Sequence, residues 1–138
     1  MKNPFSPTIL ECNTIEYTRH QFPWHVHPHV YSFSLTLAGE AMVFLREKAF
    51  TVGLDQVLIL PPHIPHQTRV DPFFHYRIIR ISADRLFLGD QPLQKPIVLT
   101  GREFRQAFNE WYWELKDYIR LGNAPELLDL PASFRSAL

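Results

Sequence analysis

The chain has 138 residues, of which 46% are hydrophobic and 14% aromatic, which suits one folded domain and excludes a disordered segment. Fourteen basic residues balance fourteen acidic ones, so the chain lacks the excess of cations with which DNA-binding modules contact phosphates. Its apolar runs are far shorter than the roughly 18–20 residues that span a bilayer, and its single cysteine, Cys12, excludes an internal disulfide. We therefore expect a cytoplasmic protein that contacts no membrane.

Short apolar runs separated by turn residues fill most of the chain up to residue 99. Residues 1–13 are predicted to form an extended arm. The alternation of large and small side chains over residues 31–38 is the clearest strand pattern, and Gly39 is predicted to turn the chain after it. The other predicted strands cover residues 14–18, 22–27, 41–45, 48–52, 56–60, 65–70, 73–81 and 97–99, with a turn at Asp71 and Pro72. Strands spaced about 8–12 residues apart are typical of an all-β sandwich or a small barrel.

The pattern becomes helical at Thr100. Thr100 and Glu103 have the spacing of a capping box, in which each side chain bonds the backbone N–H of the other residue. Apolar residues then recur three or four positions apart, as on one face of a helix of about five turns that ends near Gly122; they are Phe104, Phe108, Trp111, Leu115 and Tyr118. A second helix is predicted over residues 125–130, and Ser133 has the pattern of a further helix start, so we expect the chain to continue beyond Leu138.

Histidines are concentrated in two short clusters, at residues 24–29 and 61–66. On a strand, His25 and His27 point to the same side, and His66 could approach them from the second cluster. Neutral imidazole is the commonest metal ligand, so these three predict a three-nitrogen site with open positions for water or a substrate. The alternative is a polar cavity in which the same histidines form hydrogen bonds and hold no metal.

Two motifs in this part of the chain resemble those of cupins. The first is His25-x-His27 followed by Gly39, and the second is Pro61 followed five residues later by His66. The sequence over residues 35–40 and 54–66 resembles more closely the N-terminal domain of AraC-type transcription regulators. Similarity continues at residues 75–82 and in the helix from Arg102, so the resemblance covers roughly residues 20–122.

This resemblance implies a mainly β fold, a cupin-like double-stranded β-helix (a jelly-roll barrel) followed by one or two C-terminal α-helices. Residues 1–99 would form the sensor barrel with its arm, and residues 100–138 a helical dimerisation segment. A small-molecule effector, either a sugar or an organic acid, would bind inside the barrel. A helix-turn-helix domain beyond Leu138 would read DNA, and the protein would be a homodimeric transcription regulator and no enzyme.

The sequence departs from the pattern of metal-binding cupins at several motif positions. Ser32 stands where those proteins usually have a glutamate ligand, and Asp55 and His63 stand where their motif has glycine. Val70 stands where an asparagine often follows the last motif histidine. Because the carboxylate ligand is missing, the sequence favours a sensor over an oxygenase or an isomerase.

Two alternatives to a sensor stay open. One is a small metal-dependent cupin enzyme in which His25, His27 and His66 hold a divalent transition metal such as Zn, Ni, Fe or Mn. The other is a stand-alone module that binds a sugar or an acid without a regulatory partner.

The resemblance also implies which side chains face the inside of the barrel. With Ser32 in a ligand position, Ser32, Ser34, Thr36 and Ala38 point inward, and Tyr31, Phe33, Leu35 and Leu37 point outward. His75, Arg77, Ile79 and Ile81 would share the inward face of their own strand, which would make Arg77 a buried cation in need of a partner. Trp24 would cover the cavity, with His29 and His63 at its rim. The predicted ligand-binding residues are therefore His25, His27, Ser32, Ser34, Thr36, His66, Arg77 and Trp24, and the predicted dimer interface consists of Phe104, Phe108, Trp111, Leu115 and Tyr118.

Overall fold

The structure, a computed structural model, describes residues 7–88, 90–122 and 129–137. Its strands are β1 (Thr8–Gln21), β2 (Val30–Phe44), β3 (Ala49–Val52), β4 (Gln56–Leu60), β5 (Gln67–Ser82), β6 (Phe87–Leu88), β7 (Gln91–Pro92) and β8 (Ile97–Thr100), and its helices are α1 (Arg102–Arg120) and α2 (Ala132–Arg135). Six strands form one antiparallel sheet in the order β1-β5-β2-β4-β8, with β3 paired to β2, while β6 and β7 form a separate hairpin. The predicted β-rich fold with C-terminal helices is confirmed. Neither helix in the described part of the chain is long and apolar enough to cross a membrane.

Three strands are longer than the sequence predicted. β1 begins inside the predicted arm, where Thr8 lies opposite Ser82 of β5. The turns predicted at Gly39 and at Asp71 are wrong, because β2 runs through the first position and β5 through the second. The pairing of β2 with β5 shifts its register in these regions instead, which bends the strands without ending them.

The sheet buries apolar side chains on both of its faces. On the face toward α1, Phe33 and Leu35 of β2 are fully buried, and the ring of Trp111 meets that of Phe33 edge-on with 5.0 Å between the centroids. The opposite face, inside the barrel, holds a smaller apolar cluster of Ala41, Val43, Val52, Leu58, Leu60, Val70 and Phe74. The long strand β2 therefore contributes to the core under α1 with one half and to the lumen cluster with the other.

The C-terminal end of α1 is as predicted, but its N-terminal end is not. The capping box is wrong, because Thr100 still belongs to β8, where its hydroxyl accepts a hydrogen bond from Nε2 of Gln56 at 3.2 Å. The helix begins after Gly101 without a side-chain cap. At its C-terminal end, Gly122 has the predicted left-handed conformation, with φ 72°, and its N–H donates to the carbonyl of Ile119 at 3.1 Å.

Part of the C-terminal prediction lies outside the described residues. The helix predicted over residues 125–130 falls mostly on residues 123–128, which the structure does not describe. From Asp129 to Pro131, where the description resumes, the chain is not helical. α2 begins next to the predicted helix start at Ser133. Its Phe134 is fully buried, with ring centroids 6.2 Å from those of Phe104 and Trp111.

Polar contacts join α1 to the first strand. Nζ of Lys116 donates to the backbone carbonyl of Cys12 at 3.1 Å and to the hydroxyl of Tyr112 at 3.2 Å. The Tyr112 hydroxyl also lies 3.5 Å from the hydroxyl of Thr14. The helix is thus held on β1 by hydrogen bonds as well as by its apolar face.

Candidate functional site

A cavity of about 100 Å³ lies inside the barrel and is lined equally by polar and apolar side chains. The polar ones are His25, His27, Ser32, Ser34, His66, Thr68, Tyr76 and Arg80, and the apolar ones are Phe22, Ala41, Val43, Val52, Leu58, Leu60, Phe74 and Ile78. The lumen therefore contains imidazoles and hydroxyls, as predicted, together with an apolar half that the sequence did not reveal.

His25 and His66 form a matched pair at the wall of the cavity. The strand predicted over residues 22–27 is not formed, and His25 instead makes an isolated antiparallel bridge with His66, with backbone N···O distances of 3.0 and 3.1 Å. In each ring Nδ1 lies 2.8 Å from the carbonyl two residues earlier, that of Pro23 or of Ile64. Because a carbonyl can only accept, Nδ1 is the donor, and in the neutral ring the lone pair is on Nε2. Both imidazoles are therefore oriented by the backbone.

The cavity favours neutral histidines. Burial lowers the pKa of His66, with the charges of His25 and Arg80 acting in the same direction, while the hydrogen bond to Ile64 opposes the shift. Burial also lowers the pKa of His27, again with Arg80 and the neighbouring histidines contributing. At neutral pH these rings act as uncharged hydrogen-bonding groups.

The three histidine rings lie close together in the cavity. The ring centroids of His25 and His66 are 4.2 Å apart, those of His25 and His27 are 4.9 Å apart, and those of His27 and His66 are 6.3 Å apart. Among residues 7–88, 90–122 and 129–137, no group of three or more His, Cys, Asp or Glu side chains is placed to hold a metal ion. With Ser32 in the lining instead of a carboxylate, the donor set fits a metal only in part.

Arg80 brings a permanent positive charge to the cavity. It lies opposite Ser32 in the pairing of β5 with β2, and its Nε is 3.0 Å from a carboxylate oxygen of Glu11 in β1. Glu11 in turn accepts a hydrogen bond of 2.7 Å from Nδ2 of Asn13. On the same strand, burial raises the pKa of Tyr76 to about 12, so its hydroxyl stays protonated and can donate.

Of the β2 side chains predicted to point inward, some line the cavity and others do not. Ser32 and Ser34 line the cavity, and Tyr31, Phe33 and Leu35 lie on the opposite face in the core under α1. Thr36 is also buried, but it is not part of the cavity lining.

The predicted position of Arg77 is wrong. Its guanidinium lies on the outer face of β5, where it donates to Oδ1 of Asn109 and stands 5.3 Å from the ring centroid of Tyr112 and 5.5 Å from that of Trp113. The aromatic rings and the amide of α1 thus contact this half-buried guanidinium, while its Nε has no hydrogen-bond partner among the described residues. The inward cation of this strand is Arg80, three residues further on.

The outer residues of the histidine clusters lie away from the cavity. Trp24 is 51% exposed and does not line it, so the predicted cover over the cavity is not formed by this residue. His29 and His63 lie next to each other, with ring centroids 5.8 Å apart, and line a separate cavity on the surface.

Sequence reasoning missed Arg80, Tyr76, Thr68 and the apolar lining. The sequence of β5 does not show which face holds Arg80, because Ile78 is apolar on one face and Ile79 on the other. The structure does: Ile79 and Ile81 are fully buried in the large core under α1, and their parity places Arg80 on the opposite face. Thr68 is also without a sequence signal, since its position depends on where β2 and β5 shift their register.

The apolar stripe of α1 lies against its own barrel. Phe108, Trp111 and Leu115 are buried in the described structure. As placed, these three side chains are not available to a second copy, which corrects the predicted dimer interface at these positions; Phe104 and Tyr118, the other two predicted residues, are partly buried. The exposed aromatic side chain of the helix is Trp113, at 53%.

Comparison with known proteins identifies a family. The family model for the AraC-like ligand binding domain matches residues 9–124. No curated protein sequence matches the chain.

Solved structures show similarity at the level of the fold. YhaK from Escherichia coli superposes with a TM-score of 0.55 at 15% identity, over 70% of this chain and 44% of that chain. A cupin-2 domain containing protein from Shewanella frigidimarina gives a TM-score of 0.44 at 18% identity, over 56% of this chain and 79% of that chain. The EutQ protein from Clostridium difficile gives 0.47 at 12% identity, over 53% of this chain and 56% of that chain. The chain thus spans less than half the length of YhaK. The family match, together with the antiparallel sheet and the C-terminal helices, confirms the predicted cupin-like barrel.

Proposed function

Because the chain belongs to the family of AraC-like ligand binding domains, we propose that it senses a small molecule and that the ligand binds in the cavity inside the barrel. The family match supports the regulatory role, and the cavity supports the location. DNA would be read by a helix-turn-helix domain outside these 138 residues, and the protein would act in the cytoplasm as a regulator without enzymatic activity.

The observation that carries this proposal is the convergence of polar groups in the lumen. Two backbone-oriented imidazoles, His25 and His66, line a hollow of about 100 Å³ together with Ser32 and Ser34. A lumen that served only for stability would be filled with apolar side chains, as it is at Val43 and Val52. Few convergent polar groups within a partly apolar cavity are typical of ligand sites.

The proposal is tested by a thermal-shift screen of sugars, organic acids and divalent metals. A ligand that binds only the folded chain stabilises it by about 2.7 kcal/mol at one hundred times its Kd, which raises Tm by several degrees. We expect the shift to disappear in Ser34→Val, which adds bulk to the cavity, and to persist in His29→Ala, which changes an exposed histidine. Circular dichroism checks that Ser34→Val folds. A ligand whose shift is unaffected by Ser34→Val and by His66→Ala would bind elsewhere and contradict the proposal.

A second candidate function, a small metal-dependent cupin enzyme, is favoured by one observation. The Nδ1 hydrogen bonds of His25 and His66 leave both Nε2 atoms as free electron-pair donors, the arrangement that orients histidine ligands around a metal. Elemental analysis of the purified chain tests it. A stoichiometric transition metal that is lost in His66→Ala would support this function, and a metal-free chain that still binds its ligand would remove it.

We further propose that the chain forms a homodimer. A second copy would have to use the side of α1 that the barrel leaves open, where Trp113 is exposed, since the predicted stripe is occupied. Light scattering gives the molar mass in solution, and a monomer at all concentrations would contradict this part of the proposal.

A further inference from the structure

We propose that the effector is a small carboxylate with an apolar body of roughly seven to ten non-hydrogen atoms, and that Arg80 binds its carboxylate group. This inference rests on the proposed sensor function and names the chemical class of its ligand. A single-ring aromatic acid or a short branched aliphatic acid has this size and character.

The charge of the cavity selects an anion. Arg80 carries the permanent charge among the cavity-lining residues that the structure describes, and none of these is an aspartate or a glutamate. The remaining polar lining consists of imidazoles and hydroxyls, which donate or accept hydrogen bonds as the ligand requires. An anion in this cavity therefore meets the attractive charge of Arg80, for which it competes with Glu11 on the neighbouring strand.

The guanidinium of Arg80 has donors to offer. Its contact with Glu11 runs through Nε, at 3.0 Å. Within the described residues no hydrogen bond occupies the two terminal nitrogens. An arginine binds a carboxylate most strongly through two parallel N–H···O bonds, and Ser32, its neighbour across the strand pair, adds a hydroxyl donor beside it.

The apolar half of the lining determines the rest of the ligand. Val43, Val52, Leu58 and Phe74 offer no hydrogen-bond partners, so the hydroxyls of a sugar ring would be left unpaired against them at a cost in affinity. One water occupies about 10–15 Å³ of cavity volume on the same measure. The hollow of about 100 Å³ thus has room for roughly seven to ten groups of that size.

Glu11 connects this site to β1. It is the carboxylate that Arg80 contacts, and it lies next to the irregularity in the pairing of β1 with β5 between Ile9 and Glu11. A ligand carboxylate competes with Glu11 for the same guanidinium. Binding therefore weakens one of the contacts that hold the beginning of β1, which makes this strand sensitive to the ligand.

The experiment compares benzoate and isovalerate with their neutral counterparts, benzyl alcohol and isoamyl alcohol, and with a panel of sugars, by calorimetric titration of the 138-residue chain treated with EDTA. We expect the acids to bind at least about tenfold more tightly than the alcohols, because only the acids form a charged hydrogen bond with the guanidinium of Arg80. Arg80→Gln should weaken acid binding by about tenfold or more. The matched control is Arg77→Gln, three residues away on the opposite face of β5, which should leave acid binding unchanged.

Glu11→Gln supplies a test with the opposite sign. Removing the internal competitor should tighten acid binding severalfold, whereas damage to the fold would weaken it. Equal binding of acids and alcohols, or unchanged acid affinity in Arg80→Gln, would overturn the inference. If a sugar alone binds, and His66→Ala abolishes that binding, the carboxylate inference fails while the proposed sensor function stands; if no acid, alcohol or sugar binds the folded chain, both fail.

Discussion

At the scale of single residues, backbone conformation explains two departures from the cupin motifs. Asp55 and His63 stand at motif positions of glycine, and both have left-handed backbones, with φ of 62° and 67°. A non-glycine residue in this region costs about 1–2 kcal/mol. The chain thus has a glycine-type conformation at both positions, with another residue in place of the motif's glycine.

The exposed position of His63 makes this strain measurable. His63→Gly should raise the free energy of unfolding by about 0.5–1 kcal/mol, because the relief of strain exceeds the entropy that glycine adds to the unfolded chain. Urea unfolding provides the measurement. Asp55→Gly is the comparison, since it also removes the 3.0 Å ion pair with Arg105 and should gain less. A loss of stability in His63→Gly would show that its contact with His29 outweighs the strain.

Gly39 is required by both conformation and space. Its φ is 76°, and an added Cβ would lie 2.2 Å from the carbonyl oxygen of Phe73. Gly39→Ala should therefore lower the free energy of unfolding by about 3 kcal/mol or more. Gly53→Ala is the control, since its Cβ would meet no atom closer than 3.9 Å; equal effects of the two changes in a urea titration would contradict this account.

Cys12 gives the protein a dependence on alkaline pH. Burial raises the pKa of its thiol from 9.0 to about 11. The unfolded thiol loses its proton near pH 9 while the folded one keeps it, so the associated stability is complete below pH 9 and is lost as the pH rises to about 11. Its size is at most about 2–3 kcal/mol. Unfolding curves at pH 8 and pH 10.5 should show a smaller difference in Cys12→Ala than in the unchanged chain, and identical differences would refute the assignment.

At the scale of elements, α1 depends on its buried face. Trp111 is 5% exposed and packs edge-on against Phe33, so Trp111→Ala should cost about 3–5 kcal/mol of unfolding free energy. Trp113→Ala, two residues away on the exposed side, should cost less than about 1 kcal/mol. Chemical denaturation followed by circular dichroism separates the two. Comparable losses would mean that the helix does not dock as described.

Some elements could be predicted from the sequence because one local signal dominates them. β4 matches the predicted residues 56–60, since a continuous apolar run is bracketed there by Gly53 and Pro61. α1 was predictable from the spacing of its stripe. Which face of β5 points into the barrel could not be predicted. This strand is apolar on both faces, and alternation alone cannot tell which of them lines the lumen.

The candidate site was predictable only in part for the same reason. Motif spacing brought together His25, His27 and His66, and it placed Ser32 and Ser34 on the inward face of β2. Arg80 enters the cavity through strand parity, which the resemblance alone assigned wrongly in β5. The volume of the hollow follows from how far the apolar cluster fills the lumen, and that depends on long-range register.

At the scale of the whole molecule, the balanced charge of the chain disfavours binding to nucleic acid. Fourteen cations and fourteen anions give no net charge, so the chain has no excess of cations to drive binding by counterion release. We expect this chain alone to bind duplex DNA more weakly than about 100 μM at physiological salt. Fluorescence anisotropy at two salt concentrations measures this, and micromolar affinity that falls with salt would contradict the division of roles between this chain and a separate DNA-binding domain.

The hydrogen bond from Lys116 to the carbonyl of Cys12 has a mechanical consequence. Glu11, whose side chain contacts Arg80 at the cavity, directly precedes Cys12 in β1. A shift of β1 at Glu11 would therefore act on the hydrogen bond from Lys116 across a single peptide unit. A ligand that displaces Glu11 would then change how firmly α1 is attached to the first strand.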